Sequence, residues 1–247
     1  MIELTYLDLM ILSFSALLSG MSKSGLSGVS LISVAIFSQY FSKNAVGVLL
    51  PLLIVADFTV YPNFKKYGSW KPVWALLPPI GLGLIAGFWM LNQMEAQQAK
   101  TFTGILILIF LSFMLMKKYA SKWHEAIVTS PWMTSGSGLL VGIATSMANA
   151  AGPVSQIYLR SQSFTKNETV GIAGRLFLLV NLIKVPINWS FEFITPESFA
   201  LNLKLIPFVI LGVFLGKWVL KWIPEALFSK IIYLSCFLSA CKLMIPS

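Results

Sequence analysis

Residues 145–186 read TSMANAAGPVSQIYLRSQSFTKNETVGIAGRLFLLVNLIKVP, and this stretch decides the fold. It is apolar overall, but Gly152 and Pro153 interrupt it and polar side chains stand inside it, namely Asn149, Arg175, Asn181 and Lys184. In hydrocarbon, non-helical backbone and charge are tolerated only where protein buries them or where they line a wet cavity. The stretch therefore predicts a ligand site inside a membrane protein.

The composition is that of an integral membrane protein. Of the 247 residues, 57% are hydrophobic and 11% are charged, against about 25% charged in a soluble domain, and the mean hydropathy is +0.80. The net charge of +9 does not indicate nucleic-acid binding, because the basic residues stand singly or in short pairs between apolar segments, as the positive-inside rule describes. Glu3 and Asp8 replace the basic start of a signal peptide, so the first helix is predicted to be retained.

No cofactor and no metal is expected. Cys236 and Cys241 lie in the last apolar segment, and His124, the single histidine, lies in a polar connection, so a Cys/His metal cluster cannot be built. A membrane-embedded enzyme would need a nucleophile with a base or a metal. The sequence offers neither these nor an ATP-binding motif, so the prediction is a protein that is not an enzyme.

The apolar segments fall into two similar halves. Residues recur at an offset of 124 positions, as in Gly28 and Gly152, Gly47 and Gly171, Asp57 and Asn181, and Pro62 and Pro186. The segments are approximately residues 4–20, 26–41, 45–64, 73–91 and 102–116, then, after a polar connection, 131–147, 154–159, 170–191, 199–222 and 227–245. The prediction is one all-α transmembrane domain over residues 1–247, built from two five-segment repeats at residues 4–118 and 131–245. The second segment of each repeat is short and opens with small residues, so it is predicted to be a broken or re-entrant helix.

An odd number of segments inverts the second repeat relative to the first. With the connection that holds Lys65, Lys66 and Lys71 placed inside, most of the 18 basic residues fall on the inner face and both termini lie outside. Inverted repeats with paired broken helices are a recurrent plan of secondary transporters, which bind substrate near the midplane between the repeats.

The helix breaks at residues 20–28 and 146–153, here the first and the second break, are predicted to form an anion site. Helices that start there would aim free N–H groups and positive dipole ends at one point, which suits an anion. The residues expected to contact it are Gly25, Ser27 and Gly28 from the first break and Asn149, Ala151 and Gly152 from the second. Small residues at the breaks would also permit close helix packing, and both interpretations stay open there. For the GxxxG pairs Gly83/Gly87, Gly138/Gly142 and Gly212/Gly216, packing is the expectation.

Charges inside apolar runs narrow the site further. Asp57, Arg175 and Lys184 each stand where a charge costs at least about 2.5 kcal/mol. Structural pairing, for instance of Asp57 with Lys184, is one interpretation. In the other, Lys184 or Arg175 attracts the anion and Lys23 serves the cytoplasmic mouth. Asp57 and Asn181 are repeat mates that are expected to face each other near the axis between the repeats, and a carboxyl in a low-dielectric site can bind a coupling proton.

Several motifs resemble the sulfite exporter TauE/SafE family of membrane permeases. They are MANAAGPVSQIYL, FTKNETVG and NLIKVP in the second half and GMSKSGLSG and LLPLLIVADF in the first, and the similarity runs from about Leu9 to Met244. The resemblance implies a transporter of the bacterial-type cytoplasmic (inner) membrane that moves small, often sulfur-containing anions such as sulfite, thiosulfate or sulfonates.

The sequence thus predicts a secondary transporter of small anions that works by alternating access. Its expected partners are the anion, a coupling proton and membrane lipid, with no nucleic acid. Three points stay open: whether the chain is instead a non-transporting membrane partner or assembly factor, whether it is an anion channel, and whether it forms a homodimer.

Overall fold

The computed structural model describes residues 5–26, 29–115 and 130–245 of the chain. Within these ranges every regular element is helical, which confirms the all-α prediction. The predicted ligands Ser27 and Gly28, together with His124, lie outside the described residues. The helices, with a 3-10 turn at Ser42–Asn44, are α1 Tyr6–Lys23, α2 Ser30–Phe41, α3 Ala45–Phe64, α4 Lys71–Gln93, α5 Ala96–Leu115, α6 Pro131–Ala148, α7 Ala151–Ser161, α8 Lys166–Ser190, α9 Pro196–Trp222 and α10 Glu225–Met244.

Among the described residues, four helices are long and apolar enough to cross a membrane. They are α3, α4, α8 and α9, with mean hydropathies of 1.9, 1.7, 1.8 and 2.0. Helices α2 and α7 have 12 and 11 residues, about half of the roughly 20 residues that span a bilayer. The chain is a multi-pass membrane protein, and the re-entrant course of α2 and α7 stays a prediction.

Glycines bring two pairs of helices into close contact. A Cβ atom at Gly83 of α4 would lie 2.2 Å from the carbonyl oxygen of Leu139 on α6, and one at Gly212 of α9 would lie 2.1 Å from that of Leu17 on α1. Only glycine allows this approach, so the packing role predicted for the GxxxG glycines is confirmed. Gly83 contacts Leu139 and Gly87 contacts Ile143, while Gly212 contacts Leu17 and Gly216 contacts Met21. Residue numbers rise in the same direction along both helices of each pair, so the two helices run parallel.

Helices α3 and α8 cross antiparallel at the centre of the molecule. Gly47, near the start of α3, lies against the carbonyl oxygen of Phe193, just after α8 ends. Gly171, near the start of α8, lies in the same way against that of Tyr67, just after α3 ends. Helix α5 packs on α10, and one hydrophobic core contains residues from all ten of these described helices.

The two helix breaks have a local cause in the backbone. Helix α6 ends because Asn149 adopts the left-handed conformation, with φ 49° and ψ 28°, which asparagine tolerates better than most residues. The chain then begins α7 at Ala151. After α1, Gly25 has a φ of +115°, a conformation that glycine adopts readily. Both breaks therefore follow from residues that accept a positive φ.

Candidate functional site

A small pocket lies between the two breaks. Its volume is about 40 Å³, room for about two or three water molecules. Both halves of the chain line it: Ser22, Lys23, Ser30 and Leu53 from the first, and Thr145, Asn149, Ala151, Gly152, Gln156, Ala173, Gly174, Phe177 and Asn181 from the second. Of the predicted site residues, the structure brings Lys23, Asn149, Ala151, Gly152 and Asn181 together in this lining.

Asp57 and Lys23 form an ion pair beside the pocket. The Lys23 Nζ lies 2.8 Å from one carboxylate oxygen of Asp57 and donates to the other at 3.1 Å. That second oxygen also accepts a hydrogen bond of 2.6 Å from the Asn181 side-chain amide. Asp57 and Asn181 thus touch, as the sequence predicted. The lysine that pairs with Asp57 is Lys23, however, which corrects the suggested pairing with Lys184.

Lys184 is fully buried and is held by neutral oxygens. Its Nζ donates to the carbonyl oxygen of Thr145 at 2.9 Å, to the Thr145 hydroxyl at 3.1 Å and to the Asn149 side-chain oxygen at 2.6 Å. The Asn149 side-chain amide in turn donates to the carbonyl oxygen of Val46 on α3 at 3.0 Å. These bonds fix Lys184 against the lining residues Thr145 and Asn149.

The start of α7 presents backbone donors to the same pocket. Ala151 and Gly152 occupy its first turn, where an α-helix provides no internal acceptor for the N–H groups. These groups and the positive end of the helix dipole favour a negative charge. Pro153 follows within the same turn and has no N–H to satisfy. The pocket lining thus combines the ammonium of Lys23 with a helix start, while Asp57 pairs with Lys23 and Lys184 is bonded to the lining residues Thr145 and Asn149.

Arg175 lies outside the pocket. Its guanidinium donates to the carbonyl oxygens of Tyr67 and Gly171, each at 2.8 Å, and to that of Lys65, and its centre lies 5.7 Å from the ring of Trp70. The side chain therefore holds the end of α3 and the connection that follows it. Nothing in this geometry brings Arg175 to a substrate.

Gly25 also lies away from the pocket. A Cβ atom there would meet Val170 at 2.9 Å, Leu220 at 3.3 Å and Phe228 at 3.4 Å. Its positive φ and its crowded surroundings explain the glycine without a ligand. The first break thus contributes Lys23, with Ser22 and Ser30, to the lining.

Thr145, Gln156 and Phe177 line the pocket although the sequence did not single them out as ligands. Thr145 lies one helical turn before Asn149, and Gln156 is a buried amide on α7, so polarity within apolar helices was a usable signal for both. The Phe177 ring centroid lies 4.7 Å from the Lys23 Nζ, a cation–π contact. Nothing in the sequence distinguishes this phenylalanine from the others of the apolar runs.

Comparison with known proteins identifies the family of the chain. The family model described as "Sulfite exporter TauE/SafE" matches residues 12–243, which include both breaks and the pocket between them. No curated protein and no solved structure matched the chain. The match confirms the resemblance carried by the sequence motifs. The chain therefore belongs to the sulfite exporter TauE/SafE family of membrane permeases, which are transporters and not enzymes.

Proposed function

We propose that this protein is a secondary transporter of small anions, among them sulfite, thiosulfate or organosulfonates, in a bacterial-type cytoplasmic membrane. The observation that carries the proposal is the pocket between the two breaks, whose lining joins the Lys23 ammonium, the side-chain amides of Asn149 and Asn181 and the start of α7. Membership of a permease family and a pocket lined by these donors point to the same class of cargo.

The packing of the helices supports two inverted repeats within one transmembrane domain. Suppose that α1 to α5 correspond in order to α6 to α10. The contact of α1 with α9 is then equivalent to the contact of α6 with α4, and the contacts of α3 with α8 and of α5 with α10 are each their own equivalents. The antiparallel pairing of α3 with α8 is what a twofold axis in the membrane plane would produce. The pocket then lies where the two repeats meet, so rocking one against the other would open it to alternate faces.

The size of the pocket favours a compact substrate. A volume of about 40 Å³ holds about two or three waters, so an anion of few atoms fits with little rearrangement. In the proposed complex, Lys184 and Lys23 attract the anion, the N–H groups of Ala151 and Gly152 orient it, and the side chains of Asn149 and Asn181 complete the site. A small oxyanion can accept from several of these donors at once.

Asp57 is the proposed coupling group. Its carboxylate and the anion compete for the ammonium of Lys23, which lies 2.8 Å from Asp57. When a proton neutralises the carboxylate, Lys23 is released to bind the anion. Anion binding and proton binding are then mutually favourable by linkage, which makes the protein a proton–anion symporter.

Flux measurements in proteoliposomes test the transport role. We expect saturable sulfite or thiosulfate flux that Lys184→Leu and Asn149→Leu abolish while the protein still folds. The matched controls are Lys204→Leu and Asn92→Leu, which change exposed residues of the same types and should retain flux. Unchanged flux in both pocket variants would refute the site, and single-channel currents would indicate a channel instead of a carrier.

A further inference from the structure

Two further cavities continue from the anion pocket toward one face of the protein. The larger, here the outer cavity, has a volume of about 410 Å³ and lies where the connection between α2 and α3 meets the connection between α8 and α9. Its lining is mostly apolar, and its polar side chains are those of Ser42, Asn44, Thr195 and Ser198 together with the acidic Glu197. Between it and the anion pocket lies a middle cavity of about 20 Å³, room for about one water.

The three cavities share residues and therefore lie in a row. Ser42 lines both the outer and the middle cavity. Asn149 lines both the middle cavity and the anion pocket. The two connections beside the outer cavity are those that the charge distribution predicts to lie outside, so the row leads from the pocket to the outer face.

The narrow point of this row is formed by Asn149 and buried apolar side chains. Leu49, Leu91 and Met147 line the middle cavity and have exposed fractions of 1%, 2% and 3%. The Asn149 side chain is fixed from both sides, by its bond to the Val46 carbonyl oxygen and by the bond it accepts from Lys184. An anion cannot pass a space of one water while Asn149 holds this position.

We propose that the row of cavities is the outer half of the translocation path and that Asn149 is its gate residue. This inference rests on the proposed transport function and adds a route and a gate to it. The gate would respond to the cargo, because an anion that approaches Lys184 competes with the Asn149 oxygen for the same ammonium. Loss of that bond leaves the side chain held by the Val46 carbonyl alone, and the gate loosens when the pocket is occupied.

Cysteine accessibility tests the gate without any transport measurement. In a background with Cys236 and Cys241 replaced by alanine, a single cysteine is introduced as Ser42→Cys in the outer cavity or Ser38→Cys in the middle cavity. The control is Ser137→Cys, a buried residue of α6 that lines none of the three cavities. A small, charged, membrane-impermeant methanethiosulfonate reagent is added from the outer face.

We expect the thiol at position 42 to react readily, the one at 38 slowly and the one at 137 not at all. Adding Asn149→Gly should raise the rate at position 38 about tenfold and leave position 42 unchanged. Glycine suits the positive φ of residue 149, so the backbone is preserved. Asn149→Ala, which removes the bonds to both Lys184 and Val46, is a second variant that should act in the same direction.

The gate is overturned if position 42 reacts but neither Asn149 variant accelerates position 38. The path is overturned if position 42 is protected from the outer face. Because labelling needs no substrate, accelerated labelling in the Asn149 variants together with no anion flux in the native protein would refute the transport function and leave the gated path standing. Flux with unaltered labelling would refute the gate alone.

Discussion

The two lysines of the pocket occupy contrasting environments. Lys23, at the end of α1, is paired with the carboxylate of Asp57 and has a side chain 13% exposed. Lys184, in the last third of α8, is fully buried and is held by Thr145 and Asn149, which carry no charge. We infer from this difference that Lys23, through Asp57, is the proton-sensitive group of the proposed site, whereas Lys184 positions the proposed gate residue Asn149.

The largest expected effect is on stability. Lys23→Met would leave the buried Asp57 carboxylate without its counter-ion, so we expect the free energy of unfolding in mixed micelles to fall by about 3–5 kcal/mol. Adding Asp57→Asn to the same chain should restore most of the loss. The hydrogen-bond partners of Lys184 are neutral, so Lys184→Met should lower the free energy of unfolding by only about 1–3 kcal/mol. If both lysine variants lost the same free energy of unfolding and Asp57→Asn rescued neither, the two lysines would not differ in the way described.

Away from the pocket the halves are expected to behave alike. Gly83→Ala and Gly212→Ala each force a Cβ atom against a backbone carbonyl, so both should lower the unfolding free energy by about 1–3 kcal/mol. Gly81→Ala is the control, since a Cβ atom there meets nothing within 4 Å. A large loss from only one of the two variants would mean that the asymmetry extends beyond the site into the packing.

A smaller effect is expected from Thr145→Val. The change removes the hydroxyl that accepts a bond from Lys184 and keeps the shape of the side chain. A hydrogen bond to a charged group contributes about 1.5 kcal/mol or more, but the Thr145 carbonyl and Asn149 still hold the ammonium. We therefore expect about a fivefold rise in the KM of anion uptake, with its response to a pH gradient unchanged. A lost response would assign proton coupling to the second half as well.

Much of this organisation was predictable from the sequence. The lengths of the apolar runs predicted the helices, and the recurrence of residues at an offset of 124 positions predicted that Asp57 and Asn181 face each other, as they do. The ion pair of Lys23 with Asp57 was not predictable, because the two residues lie on different helices and are 34 positions apart in the sequence. The hydrogen-bond partners of Arg175 could not be predicted either. The position of an arginine in the sequence does not show whether its guanidinium points into a pocket or donates to the carbonyl oxygens of a nearby connection.

The central claim is that proton and anion binding are linked through Asp57. The most direct test is accumulation of thiosulfate in proteoliposomes under an imposed pH gradient, because thiosulfate keeps its charge across that range. Glu95→Gln, which neutralises an exposed acid, is the control. We expect gradient-driven accumulation in the native protein and in this control, but only gradient-independent equilibration in Asp57→Asn. Gradient-driven accumulation that persists in Asp57→Asn would contradict this claim.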